Sequence, residues 1–276
     1  MACPYNELSR FVKLKIWLDE LYECYNSKEF VHPDPVELLY DYEDIREREI
    51  AALVAAALAY GRASQIVKNA AKILKVMGES PREFVLSQPV DSLRNAFRSF
   101  KYRFTDGKSI ATLLVGVRGI IREFGSLECC FAYPHDSEFP GVKEAMINFY
   151  EKLQKHAASN LNSVLPDPRK NSACKRLYLF LKWMVRKDAI DPGGWKVISS
   201  NELIYPLDTH MFSIARSLKA TTRKSADFKA AVEVTDFFKR VNSQDPLKYD
   251  FVLTRFGIRP DLDKKKLLDF CVENRA

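Results

Sequence analysis

The 276-residue sequence lacks any Cys-x-x-Cys pair and any cluster of four cysteine or histidine ligands. Its six cysteines and four histidines are spread along the chain. Structural zinc and iron–sulfur sites need closely spaced thiolate or imidazole ligands. The sequence therefore predicts no metal centre, no iron–sulfur cluster, no disulfide framework and no cofactor.

Long hydrophobic runs are absent as well. A membrane-spanning helix needs roughly 18 uncharged residues or more, and the longest candidate, Ile50 to Tyr60, is too short. The segment Met1 to Lys15 mixes both charges and lacks the apolar centre of a secretory signal. We therefore expect a soluble, cytoplasmic protein without a membrane partner.

Strand-like alternation is missing too, and nearly every long segment shows helical spacing of its apolar residues. We predict an all-α protein, folded as a single two-lobed domain over residues 1–276. Ile45 to Tyr60 reads as a buried, alanine-rich helix that ends near Gly61. Ser172 to Lys187 reads as a second strong helix with Ser172 as its N-cap, and Leu207 to Leu218 as a third that Asp208 caps.

Acidic residues are scarce in one stretch of the second half. The chain has 43 basic and 36 acidic residues, a net charge of +7, and the excess lies in residues 138–276. The densest part runs from Arg169 to Lys187 and contains no acid; its basic members are Arg169, Lys170, Lys175, Arg176, Lys182, Arg186 and Lys187. Such a stretch favours binding of a polyanion such as nucleic acid. The alternative interpretation is a solvated basic face that only aids solubility.

Two residues of this half carry a specific chemistry. Lys175 stands in the first turn of its predicted helix, where the partial positive charge of the helix end disfavours an ammonium group. A lysine destabilised in this way, and partly desolvated, loses its proton more readily and becomes a nucleophile. With a carboxylate from Asp208, it has the minimum set of groups for cutting a glycosidic bond through an imine. Taken alone, Lys175 also suits a surface cation that contacts phosphate, and Asp208 a helix cap.

Three segments, in this order, resemble the helix-hairpin-helix DNA glycosylase superfamily of endonuclease III and 8-oxoguanine glycosylase. Ile50 to Ser64 resembles the buried helix and turn before the strand-invading residue. Lys175 to Lys182 resembles the segment of the catalytic lysine, and Leu207 to Arg216 that of the catalytic aspartate. Leu165 to Cys174 contains no glycine, so the hairpin element is non-standard.

The chain is also similar to an uncharacterised bacterial protein family from Phe30 to Ile258, which implies a glycosylase-like core over about residues 31–258. The resemblance implies a monomeric, bifunctional DNA glycosylase and AP lyase that excises a damaged base, with an oxidised purine preferred, from double-stranded DNA. Lys175 would be the nucleophile, and Asp208 would stabilise the positive charge on the sugar. The predicted DNA-binding residues are Tyr60, Arg62, Arg169, Lys170, Ser172, Arg176 and Lys182.

Two other interpretations stay open on the sequence. The first is a non-catalytic nucleic-acid-binding helical module of the same fold, which the loss of hairpin glycines favours. The second is a helical interaction protein. The aromatic and basic residues from Phe97 to Phe104 suit either a stacking surface for bases or a core edge, and we expect the core edge.

Overall fold

The computed structural model describes residues 4–133 and 141–273, and the loop that the sequence predicts at 133–140 lies outside this part except for Tyr133. The described chain is mostly helical, which confirms the all-α prediction. Its α-helices are α1 (Pro4–Tyr25), α2 (Ile45–Ala57), α3 (Ala63–Met77), α4 (Pro81–Ser87), α5 (Val90–Ala96), α6 (Gly107–Phe124), α7 (Leu127–Ala132), α8 (Val142–Ala157), α9 (Lys175–Val185), α10 (Thr209–Ser217), α11 (Phe228–Val241), α12 (Asp250–Ile258) and α13 (Lys264–Glu273).

Shorter elements complete the described chain. Three 3-10 turns lie at Lys28–Phe30, Pro35–Leu39 and Ser200–Glu202. One two-stranded antiparallel hairpin, β1 (Lys101–Tyr102) and β2 (Thr105–Asp106), pairs Tyr102 with Thr105. The sequence analysis expected no strand, because strands of two residues carry no alternation pattern.

Helix α2 lies at the centre of the core. Every residue from Ile50 to Ala59 is at most 2% exposed, and the small alanine side chains let the neighbouring helices approach closely. The helix contacts α3, α4, α7 and α9. It ends at Ala57, about one turn before the predicted end at Tyr60, and Gly61 (φ +97°) makes the turn into α3.

Around α2 and α9, the remaining contacts join the helices into two sets. Helix α6 contacts α4, α5, α7 and α8, and its Gly116 lies so close to α8 that an added Cβ would stand 2.7 Å from the Leu153 carbonyl oxygen. The second set joins α1 to α11 and α12, and α10 to α12 and α13. The buried apolar residues of the described chain form one contiguous core.

Helix α9 begins at Lys175, three residues after the predicted start. The expected cap, Ser172, instead forms an isolated bridge with Asp227, while its hydroxyl accepts a hydrogen bond from the Cys174 amide at 3.3 Å. Cys174 is the N-cap and adopts a left-handed conformation (φ 47°, ψ 37°), which residues with a side chain adopt rarely. Cys174, Leu177, Leu181 and Met184 recur at helical spacing and are all buried.

The chain after α9 returns toward the start of that helix. The Gly193 amide donates to the Trp183 carbonyl at 3.0 Å, and the Trp195 amide donates to the Met184 carbonyl at 2.8 Å. These bonds hold the chain around Gly193 and Trp195 against the end of α9. Further along, Asp208, directly before α10, lies beside Lys175, the first residue of α9.

Candidate functional site

A cavity of about 360 Å³ opens where α9, α10 and α12 meet the start of α3. This volume falls in the range of about 300–1,000 Å³ that is common for small-molecule sites. Its wall combines apolar surface with many charged groups. The ionisable lining residues are Asp34, Arg62, Lys175, Lys182, Asp191, Asp208, His210, Asp250 and Arg255.

Lys175 and Asp208 meet at this cavity and form what we call the outer pair. Lys175 Nζ lies 3.2 Å from Asp208 Oδ2, and the two side chains are 31% and 16% exposed. Lys175 is the first residue of α9, directly after the strained Cys174. Left-handed backbone in a residue other than glycine has an energetic cost and is concentrated at functional sites.

Asp208 is held in place by the start of α10. It is the N-cap of the helix, as the sequence predicts, and its Oδ1 accepts a hydrogen bond from the Met211 amide at 2.8 Å. Burial alone would raise the pKa of this carboxyl, but the charge of Lys175 and the Met211 amide outweigh it and hold the pKa below its usual value. Asp208 is therefore an anion at neutral pH, with one oxygen on the helix and the other toward Lys175.

The outer pair combines a primary amine with a fixed carboxylate beside a cavity. An amine of this kind can attack an electrophilic carbon once it has lost its proton. The carboxylate can accept that proton or stabilise a cation that develops on the bound molecule. Both groups stand on helix starts, so they are positioned by rigid elements.

Lys182 and Asp250 form a second pair in the same cavity, which we call the inner pair. Lys182 Nζ lies 2.7 Å from Asp250 Oδ2 and 3.8 Å from Asp191 Oδ2, and all three side chains are buried. The ammonium group of Lys182, which the sequence predicts to contact DNA, is thus enclosed and already paired with carboxylates.

Asp191 contributes an unusual carboxylate to the inner end of the cavity. Its Oδ2 accepts a hydrogen bond from the buried Arg186 guanidinium, whereas its Oδ1 is buried without a hydrogen-bond partner among the described residues. Burial raises the pKa of Asp191 to about 6, although the charges of Lys182 and Arg186 act to lower it. Nothing in the sequence marked Asp191, because its burial against Lys182 and Arg186 depends on how the chain folds back after α9 and not on a local pattern.

Tyr60 and Arg62, both predicted to bind DNA, occupy different environments. Arg62 is exposed and lines the cavity. The Tyr60 hydroxyl donates to the Tyr102 carbonyl at 2.9 Å and contacts Thr105 Oγ1 at 2.7 Å, so this ring is tied into the fold. Phe104, which ends the aromatic and basic segment expected at a core edge, stands beside Tyr60 and is instead 80% exposed, so that expectation is wrong for this ring.

The remaining predicted DNA-binding residues separate by environment. Arg176 is half-buried and donates to the carbonyls of Ala57 and Val164, so its guanidinium serves the fold. Arg169 is partly exposed and pairs with Asp167 and Glu151. Lys170 and Ser172 are exposed. Within the described part of the chain, none of these four residues lines the cavity.

Across 4–133 and 141–273, no group of three or more histidine, cysteine, aspartate or glutamate side chains is arranged to hold a metal ion. No helix in those ranges is both long enough and apolar enough to cross a membrane.

The chain belongs to the family described as "Protein of unknown function (DUF2400)", whose model matches residues 34–259. No curated protein and no solved structure gives a significant match. The predicted membership of the helix-hairpin-helix glycosylase superfamily is therefore wrong, because the family found is DUF2400 and nothing points to those enzymes. The connection between α8 and α9, residues 158–174, also lacks the glycines of that hairpin.

Proposed function

We propose that the protein is a bifunctional DNA glycosylase and AP lyase that removes a damaged base through an imine on Lys175. The observation that carries this proposal is the outer pair, a lysine amine 3.2 Å from an aspartate carboxylate beside a cavity of about 360 Å³. Enzymes that act on a base move it out of the stack into such a pocket. The exposed Arg62 at the cavity offers a cation to the sugar-phosphate backbone.

The reaction uses the two residues in separate roles. The neutral amine of Lys175 attacks C1′ of the sugar, the bond from C1′ to the base breaks, and the base leaves with the electron pair and takes up a proton. The attacking nitrogen gives a proton to Asp208 or to water, and opening of the sugar ring forms the imine. Removal of a 2′ proton then expels the 3′ phosphate with the electron pair of its C–O bond, and water hydrolyses the remaining imine. Asp208 stabilises the positive charge on the sugar before the imine forms.

Several finer features belong to this proposal. The helices around α6 and the set formed by α1 and α10–α13 are the two lobes, with the cavity between them. The protein acts as a monomer in the cytoplasm on double-stranded DNA. The preferred substrate is a duplex with an oxidised purine.

Borohydride trapping tests the proposal directly. The protein is incubated with a duplex that carries an abasic site, and then with duplexes that carry oxidised or alkylated bases, in the presence of borohydride. We expect a covalent adduct of one chain per duplex that is lost in Lys175→Ala and in Lys175→Arg, since arginine keeps the charge without the nucleophile. Lys196→Ala, which removes an exposed lysine outside the cavity, is the matched control and retains the adduct.

The second candidate function is a non-catalytic nucleic-acid-binding module. The observation that favours it is the same ion pair, since Asp208 caps α10 and its bond to Lys175 also joins α9 to α10. Absence of an adduct on every duplex, with salt-sensitive DNA binding intact, would select this second function. An adduct that persists in Lys175→Ala would refute the role of Lys175.

A further inference from the structure

We infer that the β1–β2 hairpin is a wedge that inserts the Phe104 ring between neighbouring base pairs of DNA, beside the cavity. The inference rests on the proposed function and names the residue that fills the space in the base stack. Phe104 is 80% exposed, against 44–56% for the other exposed large apolar side chains of the described chain. It stands in the two-residue turn between Tyr102 and Thr105, at the tip of the hairpin.

The hairpin is rigid, as a wedge must be. Tyr60 holds both strands through its hydroxyl contacts to the Tyr102 carbonyl and to Thr105 Oγ1. Thr105 Oγ1 in turn donates to the Ser163 carbonyl at 3.0 Å. The Tyr60 ring lies behind the Phe104 ring, with a centroid distance of 6.4 Å and an angle of 25° between the planes. A hairpin whose backbone is already held in this way loses little conformational entropy when the ring that it carries inserts.

The backbone at the tip of the hairpin, which carries Arg103 and Phe104, is strained. Arg103 has a positive φ of 51°, a conformation that residues with a side chain adopt rarely. The contacts of Tyr60 with the two strands hold it there. The result is that Arg103 and Phe104 both project from one tight turn.

The charge around the ring suits a nucleic acid. The Arg103 guanidinium lies 5.6 Å from the Phe104 ring centroid and 5.9 Å from that of Tyr60. Arg98, Lys101 and Lys108 are exposed in the segments that flank the hairpin. An apolar ring with an arginine beside it and exposed cations in the flanking segments suits a groove with phosphates on both edges, where apolar side chains of other proteins enter base steps and bend the duplex.

The hairpin stands next to the cavity. An added Cβ on Gly61 would lie 2.6 Å from Arg103 Nη1 and 2.8 Å from the Tyr102 hydroxyl oxygen, so the hairpin packs directly on Gly61. Gly61 and Arg62 line the cavity together with Lys175. Phe104, and not Tyr60, is therefore the ring placed to fill the space in the base stack, and the expected ligand is a duplex with a weakened base pair beside the wedge.

The test measures binding and base unstacking apart from the chemistry. Wild type, Phe104→Ala and Phe104→Trp are titrated against a duplex that contains a non-reactive abasic-site analogue with 2-aminopurine beside it. We expect Phe104→Ala to bind about tenfold more weakly or worse and to lose the fluorescence increase of 2-aminopurine, because one stacking contact is removed. Phe104→Trp should retain both the affinity and the fluorescence increase. Ile16→Ala, which shortens an exposed apolar side chain of α1, should behave as wild type.

Two further readouts distinguish a wedge from other roles. The slope of log affinity against log salt concentration is unchanged in Phe104→Ala, since no charge is lost. Borohydride trapping on a single-stranded oligonucleotide with an abasic site is also unchanged, since no stack has to be opened there.

Each contrary result has its own meaning. Equal binding and equal 2-aminopurine fluorescence in Phe104→Ala would overturn the wedge and leave the proposed function standing. Loss of trapping on single strands in Phe104→Ala would overturn it too, because the ring would then serve the fold or the chemistry. A wild-type protein that binds no duplex would overturn both proposals.

Discussion

The outer and inner pairs each join a lysine to an aspartate in the same cavity, but the two pairs differ in their exposure to solvent. Lys175 and Lys182 are seven residues apart on α9, about two helical turns, and so share a face. The outer pair has an N–O distance of 3.2 Å and side chains that are 31% and 16% exposed. The inner pair has a distance of 2.7 Å and side chains that are 3% and 6% exposed.

Burial therefore decides what each lysine does. A partly exposed ion pair contributes about 0–1 kcal/mol to stability, because water screens it and can replace either partner. A buried pair is different, because removal of one partner leaves a charge without solvent or counter-ion. Lys182 is thus committed to holding the fold, while Lys175 can exchange Asp208 for a bound molecule at small cost.

Lys182→Ala is expected to have the largest effect on stability. It should lower the free energy of unfolding by about 3–5 kcal/mol, since the buried carboxylates of Asp250 and Asp191 lose a counter-ion. Urea unfolding followed by circular dichroism measures the change in midpoint. Lys187→Ala removes an exposed lysine near the end of α9 and should stay within about 0.5 kcal/mol of wild type.

A double variant sharpens this prediction. Lys182→Met with Asp250→Leu removes both charges and should recover much of the lost stability, since an apolar pair needs no counter-ion. A loss below about 1 kcal/mol in Lys182→Ala alone would mean that water enters the inner cavity and replaces the ammonium group.

The pH dependence of stability should separate the two ends of the cavity next. The pKa of Asp191 is raised to about 6 from 3.8, so its stabilising contribution is complete below about pH 3.8 and is lost as pH rises through about 6. The pKa of Asp208 is lowered, so its contribution is present above about pH 3.8 and is lost as pH falls through the lowered value. A fall in pH therefore increases the contribution of Asp191 to stability and decreases that of Asp208.

Asp191→Asn isolates the inner contribution. Asparagine cannot ionise, so the difference in unfolding free energy between variant and wild type should change by about 2–3 kcal/mol between pH 4 and pH 6.5, at about 1.4 kcal/mol per pKa unit. Wild type should gain stability relative to the variant as the pH falls. A difference that is constant over this range would show that Asp191 stays ionised beside Arg186 and Lys182.

The sequence predicted the outer pair better than its surroundings. Lys175 and Asp208 both lie at helix starts, and capping residues and helical spacing are local signals that sequence carries. The start of α9 was misplaced because Ser172 bridges to Asp227, a contact from a remote segment. No local pattern anticipates the left-handed Cys174 that results.

The seven basic residues from Arg169 to Lys187 illustrate what sequence could not separate. Lys182 and Arg186 are enclosed by the carboxylates of Asp191, Asp245 and Asp250, which arrive from the chain after α9 and around the start of α12. Only the tertiary fold brings those acids to the basic face. Phe104 was expected at a core edge for a related reason, since the exposure of a ring in a two-residue turn depends on what packs beneath it.

Substitution of Asp208 should have a smaller effect that depends on the replacement. Asp208→Ala removes the cap of α10 and should cost about 1 kcal/mol. Asp208→Asn keeps a side-chain oxygen for the Met211 amide, so its free energy of unfolding should remain within a few tenths of a kcal/mol of the wild-type value. Both variants lose the charge beside Lys175, so both should slow formation of the trapped adduct by a similar factor. An Asn variant with wild-type trapping would restrict Asp208 to capping the helix.

Lys175→Met should have the smallest effect on stability and separates the two lysines most clearly. Methionine keeps much of the apolar stem, and the lost ion pair is partly exposed, so the free energy of unfolding should fall by less than about 1 kcal/mol. The same variant should form no borohydride adduct, because it has no amine. Lys182→Ala should unfold at a much lower urea concentration than Lys175→Met. Lys175→Met should combine nearly wild-type stability with loss of the adduct. A Lys175→Met loss as large as that of Lys182→Ala would make the outer pair a structural element, and the argument for a reactive lysine would fail with it.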